Sequence, residues 1–175
     1  YNHFDAQQIN ADLELKVQER TQKLSESEER FKQVSRATND TIWDWSLVNN
    51  TMWRSENFTT MFGYAPETSN HNINFWFDKI HNDDRSRVRD SVFAAINNND
   101  GHWSAQYRLK KNDGEYATIL DRGTIMHDEY KTPYRMVGSM VDITRLIEAE
   151  TKLSSSEKKF RNVFDSNVIG MLFFN

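Results

Sequence analysis

The stretch QYRLKKNDGEYATIL, residues 106–120, decides the fold. Asn112-Asp113-Gly114 is a tight turn, because glycine takes a positive φ freely and Asn and Asp tolerate it. On both sides apolar and polar side chains alternate, the period of a strand with one buried face. This places strands at 103–110 and 115–127, and a third follows at 133–143. Upstream, Asn97-Asn98-Asn99-Asp100-Gly101 breaks a helix over 85–96. Its Val88, Val92, Phe93 and Ile96 share a face, and Asp83 or Asp84 caps its start. Before it come a short apolar helix at 75–80, a loop with Pro66 and the Asn-rich run 69–74, and a helix begun by Ser55 and ended by Gly63. Further back, 41–47 and 51–53 read as strands about an Asn49-Asn50 turn. The order ββ-ααα-βββ predicts an α+β fold: a five-stranded antiparallel sheet with short helices on one face, flanked by long helices of coiled-coil type. The space between sheet and helices is a small-molecule pocket or a plain core.

Composition sets the bounds. Of 175 residues, 13% are aromatic, including five Trp and eleven Phe, enough for a real core. Mean hydropathy is −0.81, which fits one compact core plus solvated helix. A net charge of −4 without a basic stripe argues against nucleic-acid binding. The chain has no Cys, so disulfides, thiolate metal sites, cysteine nucleophiles and cysteine–cofactor adducts are excluded. No run approaches the roughly 18 apolar residues of a membrane span. The chain opens inside a polar helical stretch and stops at Phe173-Phe174-Asn175, read as mid-strand, so a longer parent with room for an upstream membrane anchor is expected.

Two helical rods frame the domain. Residues 5–35 contain no Gly or Pro. Leu13, Val17, Leu24, Phe31 and Val34 fall on alternating steps of four and three, with Arg20 and Ser27 at the remaining seam positions. Such a seam, narrow and strongly charged on its flanks, suits a parallel coiled coil of about four heptads. A single amphipathic helix on its own domain is the alternative. The pattern returns downstream at one constant offset: Lys23-Leu24-Ser25 matches Lys152-Leu153-Ser154, and Phe31 and Val34 match Phe160 and Val163. The spacing exceeds any solenoid period. It predicts a whole-domain repeat: a signalling helix at 1–36, a domain at 37–144, a linker helix at 145–165, and the first strand of a second, truncated domain at 166–175.

Trp43-Asp44-Trp45, Met61-Phe62-Gly63-Tyr64 with Pro66, Ile80 through Arg85, Gln106 through Leu109 with Asp113-Gly114, and Val137-Gly138-Ser139 with Asp142-Ile143-Thr144, in that order and at those intervals, resemble the PAS family, in its Trp-rich subgroup. Trp43-Asp44-Trp45 is similar to the first-strand signature, and Met61-Phe62-Gly63-Tyr64 with Pro66 to the "mfGY-x-P" segment. Ile80 through Arg85 resembles "ihPdDr", with Asn82 where Pro is usual. Gln106 through Leu109 with Asp113-Gly114 resembles "eyRl…DG". Val137-Gly138-Ser139 with Asp142-Ile143-Thr144 resembles "vGs…DIT", and Arg145 stands where Glu-Arg is often found. Leu13-Glu14, Val17, Glu19-Arg20-Thr21 and Leu24 resemble the family's signalling helix. Tyr130, where a turn Gly is common, implies a looser or longer connection at 128–133.

Asp142 and Thr144 stand just before the linker helix, and either side chain can accept from its orphan amides. Asp142 is also within reach of pairing with Arg145. The resemblance makes Asp142, Ile143, Thr144 and Arg145 a joint that passes sheet movement to the helix. It lines any pocket with Phe58, Met61, Trp76, Ile80, Ile119, Gly138 and Met140; a strand glycine such as Gly138 marks close approach of a ligand or backbone. The histidines, His3, His71, His81, His102 and His127, include no i, i+4 pair with a completing carboxylate, so no metal site is read. Asp83-Asp84 and Asp113 fit capping and turn chemistry better than acid–base work. No phosphate loop, Ser–His–acid set or kinase signature is present, and no catalytic residue is assigned.

The expected function is a cytoplasmic, non-enzymatic sensor that detects a small ligand or relays an upstream signal through a homodimer of the flanking helices. A downstream PAS domain and an output domain in cis, a histidine kinase or a cyclic-di-GMP enzyme, complete the expectation. No cofactor is required by the sequence, and neither nucleic acid nor membrane is contacted within the chain. A ligand-free dimerisation spacer is the alternative, and a haem or flavin redox sensor a third.

Overall fold

The computed structural model describes residues 2–38, 40–66 and 72–172, and the chain divides into two compact units, 1–40 and 41–175. The first unit is one helix, α1 (Asn2–Thr38). Good helix formers and i, i+4 pairs such as Asp12–Lys16, at 2.7 Å, support it. Its seam residues Leu13, Val17, Leu24 and Val34 are all more than half exposed along the rod. The Phe31 side chain lies outside the described residues.

The second unit is built on five strands: β1 (Thr41–Ser46), β2 (Thr51–Arg54), β3 (His102–Lys110), β4 (Tyr116–His127) and β5 (Pro133–Asp142). All neighbours run antiparallel in the order β2-β1-β5-β4-β3. Alternation sorts the faces. Trp43 and Trp45, Met136 and Met140, Ala117, Ile119 and Ile125, and Trp103, Tyr107 and Leu109 point inward and are buried. Three helices close that face: α2 (Asn57–Phe62), α3 (Ile73–Lys79) and α4 (Asn82–Asn97). They contribute Phe58, Phe62, Trp76, Phe77, Val88 and Val92 to the core. Each large apolar side chain so buried is worth about 1.5–3 kcal/mol. The α+β expectation and the five-stranded sheet are therefore observed.

Turn chemistry fixes the register. Gly114 has φ +95°, and Asp113 Oδ1 accepts from the Glu115 amide at 2.9 Å. The connection at 128–133 is tight rather than loose. Asp128 Oδ1 accepts from the amides of Tyr130 and Thr132, and Lys131, not Tyr130, takes the positive φ.

Several helix starts differ from expectation. Ser55 does not cap α2; its hydroxyl accepts from the Ile42 amide at 3.0 Å and fastens the end of β2 to β1. Neither Asp83 nor Asp84 is the cap of α4. His81 Nδ1 accepts from the Asp83 amide, so the helix begins at Asn82 rather than at 85. Asn72 caps α3 through Asn74, so that helix begins at Ile73. Residues 67–71, including His71, lie outside the described residues. The final helix, α5 (Thr144–Leu172), runs through most of the segment read as a strand of a second domain. A strand needs a partner to satisfy its backbone, whereas a helix satisfies it locally. Residues 173–175 lie outside the described residues.

Candidate functional site

The inner face of the sheet holds a buried polar cluster that the sequence reading did not single out. Trp43 on β1 lies opposite Gly138 on β5, which in turn lies opposite Gly123 on β4. The two glycines clear a path for the indole. A Cβ on Gly138 would meet the Arg122 carbonyl oxygen at 2.1 Å and Trp43 Cζ2 at 2.3 Å; one on Gly123 would meet Trp43 Cη2 at 2.6 Å. Crossing both, the indole donates from Nε1 to Asp121 Oδ1 at 2.8 Å. The Tyr107 hydroxyl donates to Asp121 Oδ2 at 2.6 Å and accepts from Trp76 Nε1 at 2.9 Å. Trp43 of β1 and Tyr107 of β3 thus meet on one β4 carboxyl with no solvent exposure, and Trp76 of α3 is tied to it through Tyr107.

Two effects oppose each other at Asp121. Burial removes water from the carboxylate and pushes its pKa up, to about 7. Hydrogen bonds from Tyr107, Trp43 and the Arg122 amide work against that rise. Burial and the adjacent Asp121 push the Tyr107 hydroxyl well above its ordinary value, so it stays protonated as a donor. A sequence signal for Asp121 existed. It shares the inward parity of Ala117, Ile119 and Ile125, where a carboxyl is out of place.

Beside the cluster is a cavity of about 10 Å³, lined by Trp43, Trp45, Trp76, Trp103, Asp121 and five aliphatic or thioether side chains. Of the seven expected pocket residues, Trp76 and Met140 line it. Phe58, Ile80 and Ile119 are buried in the core without lining it, and Met61 is half-buried with its sulfur 3.8 Å from the Thr41 hydroxyl. Gly138 does mark a close approach, but the approaching group is the chain's own Trp43.

The four joint residues come together where β5 ends. Asp142 Oδ1 accepts from the Thr144 amide at 2.9 Å and from its hydroxyl at 2.5 Å. That hydroxyl oxygen accepts from the Thr118 amide of β4 at 2.8 Å, and the Ile143 amide donates to the Thr118 carbonyl at 2.9 Å. The first turn of α5 is therefore bonded to β4 as well as continuous with β5. The cation at Asp142 is Lys111, at 3.7 Å, rather than Arg145, which is exposed. Lys111 belongs to the β3–β4 turn, whose Asn112 amide donates to the carbonyl of Phe62 at the end of α2.

Asp84 has a structural task. Arg108 of β3 donates to it from Nε at 2.9 Å and from its backbone amide at 3.0 Å, and this holds the Asp84 carboxyl down at about 2. Among the described residues no three His, Asp or Glu side chains gather as metal ligands. Nor is any described helix long and apolar enough to cross a membrane.

Comparison with known proteins agrees with this architecture. The chain is 28% identical over 109 residues to a methyl sulfide methyltransferase-associated sensor of Methanosarcina acetivorans, a match over 62% of this chain and 11% of that protein. A sensory box histidine kinase/response regulator structure from Burkholderia thailandensis superposes with a TM-score of 0.62 at 28% identity, over 76% of this chain and 98% of that one. The N-terminal domain of a diguanylate cyclase with PAS/PAC sensor from Marinobacter aquaeolei gives 0.55 at 20% identity, over 60% and 95%, a likeness of fold. The sequence profile of the PAS fold matches residues 51–140, more than half of the chain. With its sheet order, its helical cover and that match, the chain belongs to the PAS-fold family of sensory and signalling domains.

Proposed function

We propose that this chain is a cytoplasmic, non-enzymatic sensor-transducer that works as a homodimer and passes a change in its sheet to a downstream output domain, a histidine kinase or a cyclic-di-GMP enzyme. The observation that carries the reading is the bonding of the first turn of α5 to β4 through Thr118, Ile143 and Thr144, with Asp142 as the cap. A strand that shifts must then move the helix or break those bonds. The needed bias is small, since a ligand moves a two-state element only by its differential affinity. Residues 145–165 act as the linker and residues 1–36 as the signalling helix.

The small cavity favours a second reading, a ligand-free spacer, because drug-sized ligands occupy roughly 300–1,000 Å³. The same comparison gives the haem or flavin reading no support. A thermal-melt screen of small compounds, with native mass spectrometry of the purified chain, separates the two. A compound that raises Tm and alters amide exchange in the first turn of α5 supports the sensor. No stabilising compound and an inert α5 support the spacer.

A further inference from the structure

We propose that the turn between β3 and β4 is an input arm of the joint: it carries the position of the end of α2 to the cap of α5, with Lys111 as the positioning residue. The inference rests on the sensor reading and names the part of the fold that sets the joint.

Two hydrogen bonds fasten the turn to the end of α2. The Asn112 amide donates to the Phe62 carbonyl at 2.9 Å, and the Tyr64 hydroxyl donates to the Lys110 carbonyl at 2.7 Å. The Tyr64 ring is itself set by both neighbouring helices. It stacks on Phe58 of α2 at 6.0 Å and meets Phe75 of α3 edge-on at 5.3 Å, with the Lys79 ammonium 5.2 Å above it. A movement of α2 against α3 therefore moves that phenol. The turn is stiff enough to follow as a body. The Lys111 amide donates to the Glu115 carbonyl at 2.7 Å, the Gly114 amide to the Lys111 carbonyl at 3.1 Å, and the Glu115 amide to Asp113 Oδ1 at 2.9 Å.

On its far side the turn reaches the cap. Asp142 divides its two oxygens: Oδ1 accepts from the amide and hydroxyl of Thr144, while Oδ2 faces the Lys111 ammonium at 3.7 Å. An aspartate carboxyl turns in a broad, shallow well about its last bond. Held at both oxygens it keeps Oδ1 on the helix; held at one it swings. The energy of the ion pair is secondary, because the two side chains are 28% and 27% exposed and such pairs contribute little. Orientation is what it supplies. The separation is also a sensitive one. A charged hydrogen bond spans about 2.7–2.9 Å, so a shift of the turn by about 1 Å either makes that bond or loses the cation. The other described tie from α2, Met61 sulfur to the Thr41 hydroxyl at 3.8 Å, ends on β1, two strands away from the β4 bond that holds α5.

The test is a double-mutant cycle read by amide exchange in the first turn of α5, with the protection of β4 as internal reference. Tyr64→Phe removes the bond to Lys110 and keeps the ring. Lys111→Met removes the cation and keeps most of the stem. Each alone is expected to quicken exchange there about two- to tenfold, the factor a single hydrogen bond sets. The pair should do no more than either alone, because both act through Lys111. Lys111→Arg, which keeps the charge, should stay near the parent. Factors that multiply in the double variant, or a Tyr64→Phe that leaves α5 unchanged, overturn the proposal. Should Tyr64→Phe fail to fold, the reciprocal measurement decides, since coupling acts in both directions. Lys111→Met should then quicken exchange at the Gly63 amide, which closes α2 on the Thr59 carbonyl at 2.8 Å, and an unchanged rate there removes the arm. If Thr144→Val quickens α5 while the cycle shows no coupling, the sensor reading stands and this inference falls. If neither these substitutions nor any stabilising compound alters α5, the sensor reading falls and the arm with it.

Discussion

Asp121 ties stability to pH in a direction opposite to that of most carboxylates. Its pKa is about 7 in the folded chain against an ordinary value of 3.8, so between those limits the folded state holds a proton that the unfolded state has lost. Stability from this group is fully present below about pH 4, declines as pH rises toward 7, and is flat above. The span is on the order of a few kcal/mol. Asp121→Asn removes the dependence: urea midpoints of parent and variant should converge or cross in the variant's favour from pH 5 to pH 8. A difference that does not vary with pH would sink the account. Asp84 has the opposite sign. Its depressed carboxyl, at about 2, contributes above the ordinary value and is lost as pH falls toward 2. Gly138→Ala sets a methyl group against the Arg122 carbonyl oxygen and the Trp43 indole. Overpacking against backbone is expected to cost about 1–3 kcal/mol or more in urea titration and to dislodge the indole from Asp121. That path was not legible in the sequence. The pattern named Gly138 as a place of close approach and placed Asp121 on the inward parity, but which group closes in depends on a cross-strand register three strands wide.

At the scale of elements, the strands were readable because their signals are local. Alternation sets the faces, and Asn112-Asp113-Gly114 closes the hairpin within two residues of the expected strand ends. Helix starts were less readable, because a capping side chain competes with tertiary partners. Asp84 is taken by Arg108, which leaves His81 to cap α4, and Ser55 is taken by the Ile42 amide. The same competition gives the joint its prediction. In Thr144→Val the Thr118 amide loses its acceptor and Asp142 loses a donor. An unmet amide of this kind costs about 1–3 kcal/mol. Hydrogen exchange should quicken in the first turn of α5 while the β3–β4 hairpin keeps its protection. Equal loss of protection in both would mean that the joint is one cooperative unit with the sheet and transmits nothing separately.

For the whole molecule, the two rods α1 and α5 carry the exposed apolar seams. Leu13, Val17, Leu24 and Val34 on α1 are exposed, and so are Leu146, Leu153 and Phe160 on α5, spaced one heptad apart. Rods this polar gain little by themselves, and a leucine left in water gains about 1.5–3 kcal/mol on burial against a second copy. Leu24→Asp with Phe31→Asp should therefore leave a folded monomer by sedimentation, with the melt of the sheet unchanged. A dimer that survives this pair places the interface elsewhere. Because the chain has no cysteine, Lys159→Cys introduces a unique label site on an exposed turn of α5. In the homodimer proposed above, spin labels there would report the distance between the two copies of α5. Any compound that stabilises the core should shift that distance, and Thr144→Val should abolish the shift while leaving the stabilisation intact. The two readouts part company only if binding and transmission reside in different bonds, with the Thr118–Thr144 contact carrying transmission alone.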